Sequence, residues 1–190
     1  MNFLDIIQLK PTVFISFGLK KILRNFYRYA YFLMLYFFYK KIEISTFVSP
    51  LASVREHFRV SLGRNVVINR NVIIWATLTT GSHCQINPGT AIYGNVVLGN
   101  DVLIGPNVMI AGGSHGYSNI NLPIRKQNDL SKGIIIGNDV WIGANAVLID
   151  GITVGSHSII GAGAVVLSSF PPYSVVAGNP GKLIRMRNNV

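Results

Sequence analysis

From residue 62 onward an apolar position recurs at every sixth place. It falls at Leu62, Ile68, Ile74, Thr80, Ile86, Ile92, Leu98, Ile104 and Ile110, and again at Ile136, Ile142, Leu148, Val154, Ile160 and Val166. Fourteen of these fifteen positions are Ile, Leu or Val, against 59 of all 190 residues, so composition alone does not produce the pattern. Gly follows the apolar position in eight hexads, and a small or β-branched residue comes three positions after that in most of them. The pattern predicts short strands joined by tight turns, with aliphatic side chains stacked inward in rows. Gly and Asn supply the unusual backbone conformations at the corners. Three hexads make one triangular coil, and stacked coils make a solenoid with a continuous aliphatic core.

The phase breaks once. The step from Ile110 to Ile136 is not a whole number of hexads. The break predicts that residues 111–133 leave the coil as a loop, and long loops on rigid scaffolds tend to carry function. His115 stands near the start of this loop. Gly113 and Gly116 flank it, and the expectation is that they let a ligand approach closely. Cys84 takes one of the small inward positions and reads as core filler.

Residues 1–47 are of another kind. They hold 13 of the 20 aromatic residues but only one of the 19 glycines, which places a boundary near Phe47–Pro50. Basic and apolar residues alternate here at roughly helical spacing. A run without a charge, Tyr29 to Tyr39, lies between Arg28 and Lys40–Lys41. That run is too short to span a bilayer of about 30 Å as a helix. It also lies too far into the chain, and is too aromatic, to read as a cleaved leader. Two readings remain open. The segment lies in a membrane interface with its Lys and Arg toward anionic headgroups, or it is a helical cap packed on the rest of the protein or on a sister subunit.

Composition narrows the function classes. The charged fraction is only 13%, and the formal net charge of +10 calls for an acidic partner. Residues 1–47 carry half of that charge, interleaved with bulky aromatics, and no nucleic-acid recognition motif appears. A single Cys excludes an intramolecular disulfide framework, and the four His show no spacing of metal ligands.

The stretch Ile136–Leu148 and the repeat as a whole, over about residues 48–187, resemble the hexapeptide-repeat acyltransferases. The resemblance is strongest to bacterial capsule, exopolysaccharide and O-antigen O-acetyltransferases. It implies a mainly β fold, a left-handed parallel β-helix of hexapeptide repeats assembled as a homotrimer, to which the helical segment read above is joined at the N-terminus. Handedness rests on the resemblance, since ordinary crossover rules favour the opposite hand. In the family's sugar acetyltransferases a catalytic His follows a hexad like Ile104–Met109, which here makes it His115. Acceptor-binding positions fall on His83, Gln85 and Tyr93, and Asn87 is a further candidate two residues from Gln85 on the same strand face. His83 and Tyr93 stand where the family carries Tyr and Asp, which points to an acceptor other than a simple galactoside. Acetyl-CoA would lie along Trp141, Gly143, Ala144, Ala162 and Gly163, with Lys182 and Arg185 of the terminal motif meeting its phosphates. A Thr-Lys pair common before the double Pro is Leu167–Ser168 here, so one phosphate contact is missing.

The chemistry implied is direct acetyl transfer from acetyl-CoA to a sugar hydroxyl, with neutral His115 as general base and no metal. The acceptor expected is a surface polysaccharide or its lipid-linked precursor, handled on the inner face of the bacterial cytoplasmic membrane. Two alternatives stay open: acetylation of a free small molecule such as a simple sugar, a serine or an antibiotic, and a non-catalytic β-helix protein. If the N-terminal segment meets lipid, its removal abolishes sedimentation with anionic liposomes. Unchanged sedimentation leaves only the packing role.

Overall fold

The computed structural model describes residues 33, 35–43 and 45–187. The chain divides into two compact units, Met1–Phe38 and Tyr39–Val190. In the first, residues 33 and 35–38 are helical. The remainder of the aromatic, basic segment lies outside the described residues. Among the described residues no helix is long and apolar enough to cross a membrane.

The second unit is a parallel β-solenoid. Short strands recur at the predicted hexad positions and pair one coil up: Ile68 with Ile86, Ile86 with Ile104, and Ile74 with Ile92. The offset in each of these pairs is three hexads. The ladder starts at Lys41–Ile42, which pairs with Ser61–Leu62, ahead of the composition boundary near Phe47. Ile42 is buried like the later inward residues, so the coil takes in the end of the aromatic segment. A truncation that spares the solenoid therefore ends at Phe38.

The inward positions fill the core as the period predicts. Ile68, Ile74, Ile86, Ile92, Ile104, Ile110, Ile142 and Ile160 are each 0% exposed. The second, smaller row is equally buried, from Val66 through Cys84 and Thr90 to Ala164. The polar members of the core are paired. Thr80 Oγ1 accepts from the Gly63 amide at 3.3 Å, and Thr90 Oγ1 donates to the Gly105 carbonyl at 2.9 Å. Burial pushes the Cys84 thiol pKa up, which keeps it protonated and unreactive.

Asparagine and glycine both supply the corner conformations as expected, and other glycines have a second role. The left-handed residue is the third after the inward position, at Asn65, Asn71, Asn107 and Asn145 and at Gly89, Gly151 and Gly163, with His83, Asp101, Asp139 and His157 in the same role. The glycine directly after the aliphatic serves close approach. A Cβ on Gly105 would lie 2.7 Å from the Ala144 amide nitrogen of the next coil.

One corner, turned at Gly151 in a later coil, lacks this turn in two earlier coils. The long strands Ile73–Thr80 and Ala91–Leu98 each run through it unbroken, so among the described residues two of the three faces merge into one ten-stranded sheet. The third face is an eight-stranded sheet. Thr77 holds the turn position in the first of these strands, and a β-branched residue does not adopt the left-handed conformation readily. The excursion leaves the coil at this same corner. Above it the pairing offset exceeds three hexads: Leu98 pairs with Ile136 and Ile110 with Leu148. Three hexads from Leu98 would have reached only Gly116, inside the loop. The ladder thus resumes in register on the far side of the insertion. At the C-terminal end Ser174–Ala177 pairs antiparallel with Lys182–Met186, which extends the eight-stranded sheet past its last parallel strand.

Replacing Ile86 by Ala is expected to cost about 2–5 kcal/mol in urea denaturation, because a rigid row cannot close over the lost volume. Gln85→Ala, at the adjacent exposed position, should stay within about 0.5 kcal/mol.

Candidate active site at the excursion loop

The two limbs of the loop zip together. Ser114 and Leu130 exchange amide-to-carbonyl hydrogen bonds of 2.7 Å in both directions, and the Gly116 amide donates to the Asn128 carbonyl at 3.1 Å. This antiparallel register sets His115 opposite Asp129. Their side chains meet at 2.7 Å, Nδ1 to Oδ1. A carboxylate at Nδ1 holds the proton on that nitrogen and leaves the lone pair on Nε2. Both side chains are about three-quarters exposed, at 75% and 76%. The pair therefore adds little to stability, and its effect is to orient the imidazole. Gly116 serves the zipper: a Cβ there would lie 2.5 Å from the Asn128 carbonyl oxygen.

The loop is anchored where it leaves and where it returns. Ser131 Oγ donates to the Gly112 carbonyl at 2.9 Å and accepts from Asn95 Nδ2 at 2.8 Å. The Asp150 carboxylate accepts from the Lys132 amide at 3.0 Å and from the Gly133 amide at 2.7 Å. Gly94, at φ +73°, has the Gly112 carbonyl where a Cβ would stand, so the departing strand lies flat on the coil below. At the tip, Gln127 Nε2 donates to the carbonyls of Asn119 (2.9 Å) and Leu122 (3.0 Å).

Tyr93 lies at the base of this loop. It pairs in register with Ala111 on the departing strand and with Trp75 on the coil below, and its ring meets Trp75 edge-to-face at 5.7 Å. His83, Gln85 and Asn87 lie elsewhere on the chain. His83 forms the left-handed turn at another corner, 3.4 Å from Asn65 Nδ2. Gln85 and Asn87 belong to the face built on the eight-stranded sheet, where Gln85 Nε2 donates to Asn87 Oδ1 at 2.9 Å and Asn87 Nδ2 to the Ile104 carbonyl at 2.8 Å. One chain alone does not bring these three to His115.

The residues expected along the CoA path lie toward the C-terminal coils. Trp141 projects from the eight-stranded sheet, half exposed, in register with Leu103 and Ile159. Gly143 is buried, and a Cβ there would lie 2.5 Å from the Ala162 amide nitrogen. Ala162 and Gly163 are exposed, and no atom lies within 4 Å of where a Gly163 Cβ would be. Lys182 and Arg185 are exposed on the terminal antiparallel strand.

Sequence reasoning missed two residues here. Asp129 is one. The other is Arg187, which ties the chain end to Asp139 at 2.9 Å, beside the 3.0 Å contact of Asp139 with His157. The His157 hydrogen bond, and then Arg187, hold the Asp139 carboxyl below its ordinary pKa. His157 in turn stacks on Tyr173 at 4.8 Å. His57 meets the Tyr39 ring edge-on at 5.0 Å, and burial lowers its pKa. Among the described residues no group of three His, Cys, Asp or Glu could hold a metal ion.

Asp150→Ala removes the acceptor for two loop amides and is expected to cost about 1–3 kcal/mol. Hydrogen exchange should show Lys132, Gly133, Ser114 and Leu130 opening faster, with the Ile104 amide unchanged.

With this geometry in place, the chain can be set beside known proteins. The bacterial transferase hexapeptide family (six repeats) matches residues 77–112 and 133–168, the coils on either side of the loop. Galactoside O-acetyltransferase of Escherichia coli is 35% identical over 77% of this chain and 66% of its own length. WbbJ of the same organism, named as a lipopolysaccharide biosynthesis O-acetyl transferase, is 33% identical over 50% of this chain and 52% of its own. Among solved structures, a mutant of perosamine N-acetyltransferase from Caulobacter crescentus, in complex with CoA and GDP-perosamine, is 28% identical. It superposes with a TM-score of 0.60 over 73% of this chain and 55% of that one. The chain spans less than two thirds of the length of several curated relatives it matches, 44% of an acetyltransferase-named protein of Schizosaccharomyces pombe among them, and 66% of the galactoside enzyme.

Proposed function

The chain belongs to the hexapeptide-repeat transferase family, and from that footing we propose that it is an acetyl-CoA-dependent O-acetyltransferase. Its acceptor is a sugar hydroxyl of a bacterial surface polysaccharide or of the lipid-linked precursor. The observation that carries this reading is the His115–Asp129 pair, presented on a zipped loop above a rigid coil.

A sugar hydroxyl attacks poorly while it keeps its proton. With Nδ1–H tied to Asp129, His115 Nε2 accepts that proton, and Asp129 stabilises the imidazolium that forms. Acetyl-CoA supplies the acetyl group as a reactive thioester. His115 then returns the proton to the departing sulfur, so no residue is acylated. The only cysteine, Cys84, is 1% exposed and out of reach for a covalent route. The exposed Trp141, Ala162 and Gly163 leave room for the pantetheine arm, and Lys182 and Arg185 offer exposed cations to the phosphates.

A cyclic homotrimer completes the site in this reading. His83, Gln85 and Asn87 of one subunit would face the His115 loop of the next across a groove. The loop supports this through apolar side chains left uncovered in one chain, with Tyr117 71%, Ile120 94% and Ile124 56% exposed. The N-terminal segment would hold the trimer on the inner leaflet, beside a lipid-linked acceptor. Similarity to the galactoside enzyme favours one other reading, a free small sugar as acceptor.

His115→Ala should lower turnover by ~10²–10⁴ with the circular dichroism spectrum unchanged. Asp129→Asn should produce a smaller loss that falls in kcat and leaves the KM for acetyl-CoA alone. Near-normal turnover in His115→Ala would remove the assignment.

A further inference from the structure

The corner that the two long strands run straight through presents a continuous outward surface below the catalytic loop. Two parallel columns of side chains cross it. One runs from Arg55 to Trp75, Tyr93 and Ala111, the other from Thr77 to Asn95. Arg55 lies over the Trp75 ring, its guanidinium carbon 3.7 Å from the centroid, and Trp75 meets Tyr93 edge-to-face. Trp75 is 39% exposed. Arg55, Thr77 and Asn95 are exposed as well.

The state of Arg55 is the informative part. Face-on contact with an indole fixes a guanidinium plane while its N–H donors stay in the plane, free to bind a carboxylate through two parallel hydrogen bonds. Among the described residues Arg55 has no acidic partner. The adjacent carboxylate, Glu56, is already paired with Arg59 at 3.0 Å. Arg55 is thus an oriented cation with free donors. Three coil steps of about 4.8 Å separate it from Ala111 at the loop's root, a span of about 14 Å. That is longer than one sugar ring.

We propose that Arg55, Trp75, Thr77, Tyr93 and Asn95 form an extended acceptor subsite for an acidic oligosaccharide. A carboxylate-bearing sugar sits on Arg55, remote from the unit being modified at His115. Sugar rings between them lie along the Trp75–Tyr93 column, with hydroxyls within reach of Thr77 and Asn95. The inference deepens the function proposed above and rests on it for the identity of the ligand as a glycan. It adds that the acceptor is anionic and is recognised as a chain, which a free monosaccharide cannot satisfy.

The test is direct binding to the full-length protein without acetyl-CoA, by calorimetry and saturation-transfer NMR. The probes are tetragalacturonate, a hyaluronan tetrasaccharide, neutral chitotetraose and monomeric galacturonate. At least one acidic tetrasaccharide should bind roughly tenfold tighter than both the neutral one and the monomer. Arg55→Gln should remove that margin and leave the neutral probe unchanged. Arg55→Lys should restore only part of it, because an ammonium lacks the planar fork. Trp75→Ala should weaken acidic binding too, and an unchanged melting temperature in each variant shows that the solenoid is intact. The subsite is overturned if neither acidic probe binds with a margin, or if Arg55→Gln leaves that margin in place. It is also overturned if pyrophosphate displaces the acidic probe more effectively than galacturonate does, since Arg55 would then serve a phosphate group. Acetyl transfer to a monosaccharide with Arg55-independent binding refutes the subsite and spares the enzyme. Arg55-dependent binding with no transfer to any glycan does the reverse.

Discussion

The structure depends on one constraint: an aliphatic side chain must come round to the same inward row every three hexads. Ile68, Ile86, Ile104, Ile142 and Ile160 form one such row, each fully buried and each pair set by a parallel ladder. Burial and the backbone hydrogen bonds reinforce each other, because a slip of a single position would turn the row outward. The rest follows locally. Most corners must turn the chain onto the next face within a very short stretch, which selects Asn, Gly and the occasional His or Asp in left-handed conformation. Where the position after an inward residue lies tight under the next coil, as at Gly105 and Gly143, only Gly fits.

That rigidity makes the excursion possible. The insertion between Gly112 and Ile134 leaves Leu98 and Ile136 in register as if nothing lay between them. The coil supplies fixed posts, Asn95, Gly112 and Asp150, and the limbs bind to them and to each other. His115 and Asp129 are placed by this second, antiparallel register and not by the hexad period. A zipped loop on a stiff scaffold gives the imidazole a defined tautomer and direction, as the proposed general-base role requires.

Charge follows the same division of labour. Asp139 is satisfied by His157 and Arg187, a contact that fastens the terminal strand to the body. Arg55 is held by an aromatic ring instead, which orients it without neutralising it. The first arrangement reads as structure and the second as readiness for a ligand. Only the geometry separates them, since all these residues are polar and lie at or near corners.

The sequence alone made the solenoid, its coil of three hexads, its buried rows and the loop with His115 legible. All of these follow from a period that any inward row must obey, so Ile86 or Ile142 can be placed without coordinates. The start of the ladder at Lys41 was hidden because very short strands at the end of an aromatic segment carry no period of their own. Asp129 was hidden because the loop is aperiodic, and its partner is set by an antiparallel pairing that no spacing announces. Arg55 and Trp75 do not stand three hexads apart, so the repeat does not pair them, and the straight corner joins them only once the strands are stacked. Local periodicity is written in the chain; contacts between segments that do not share the period exist only after folding brings them together.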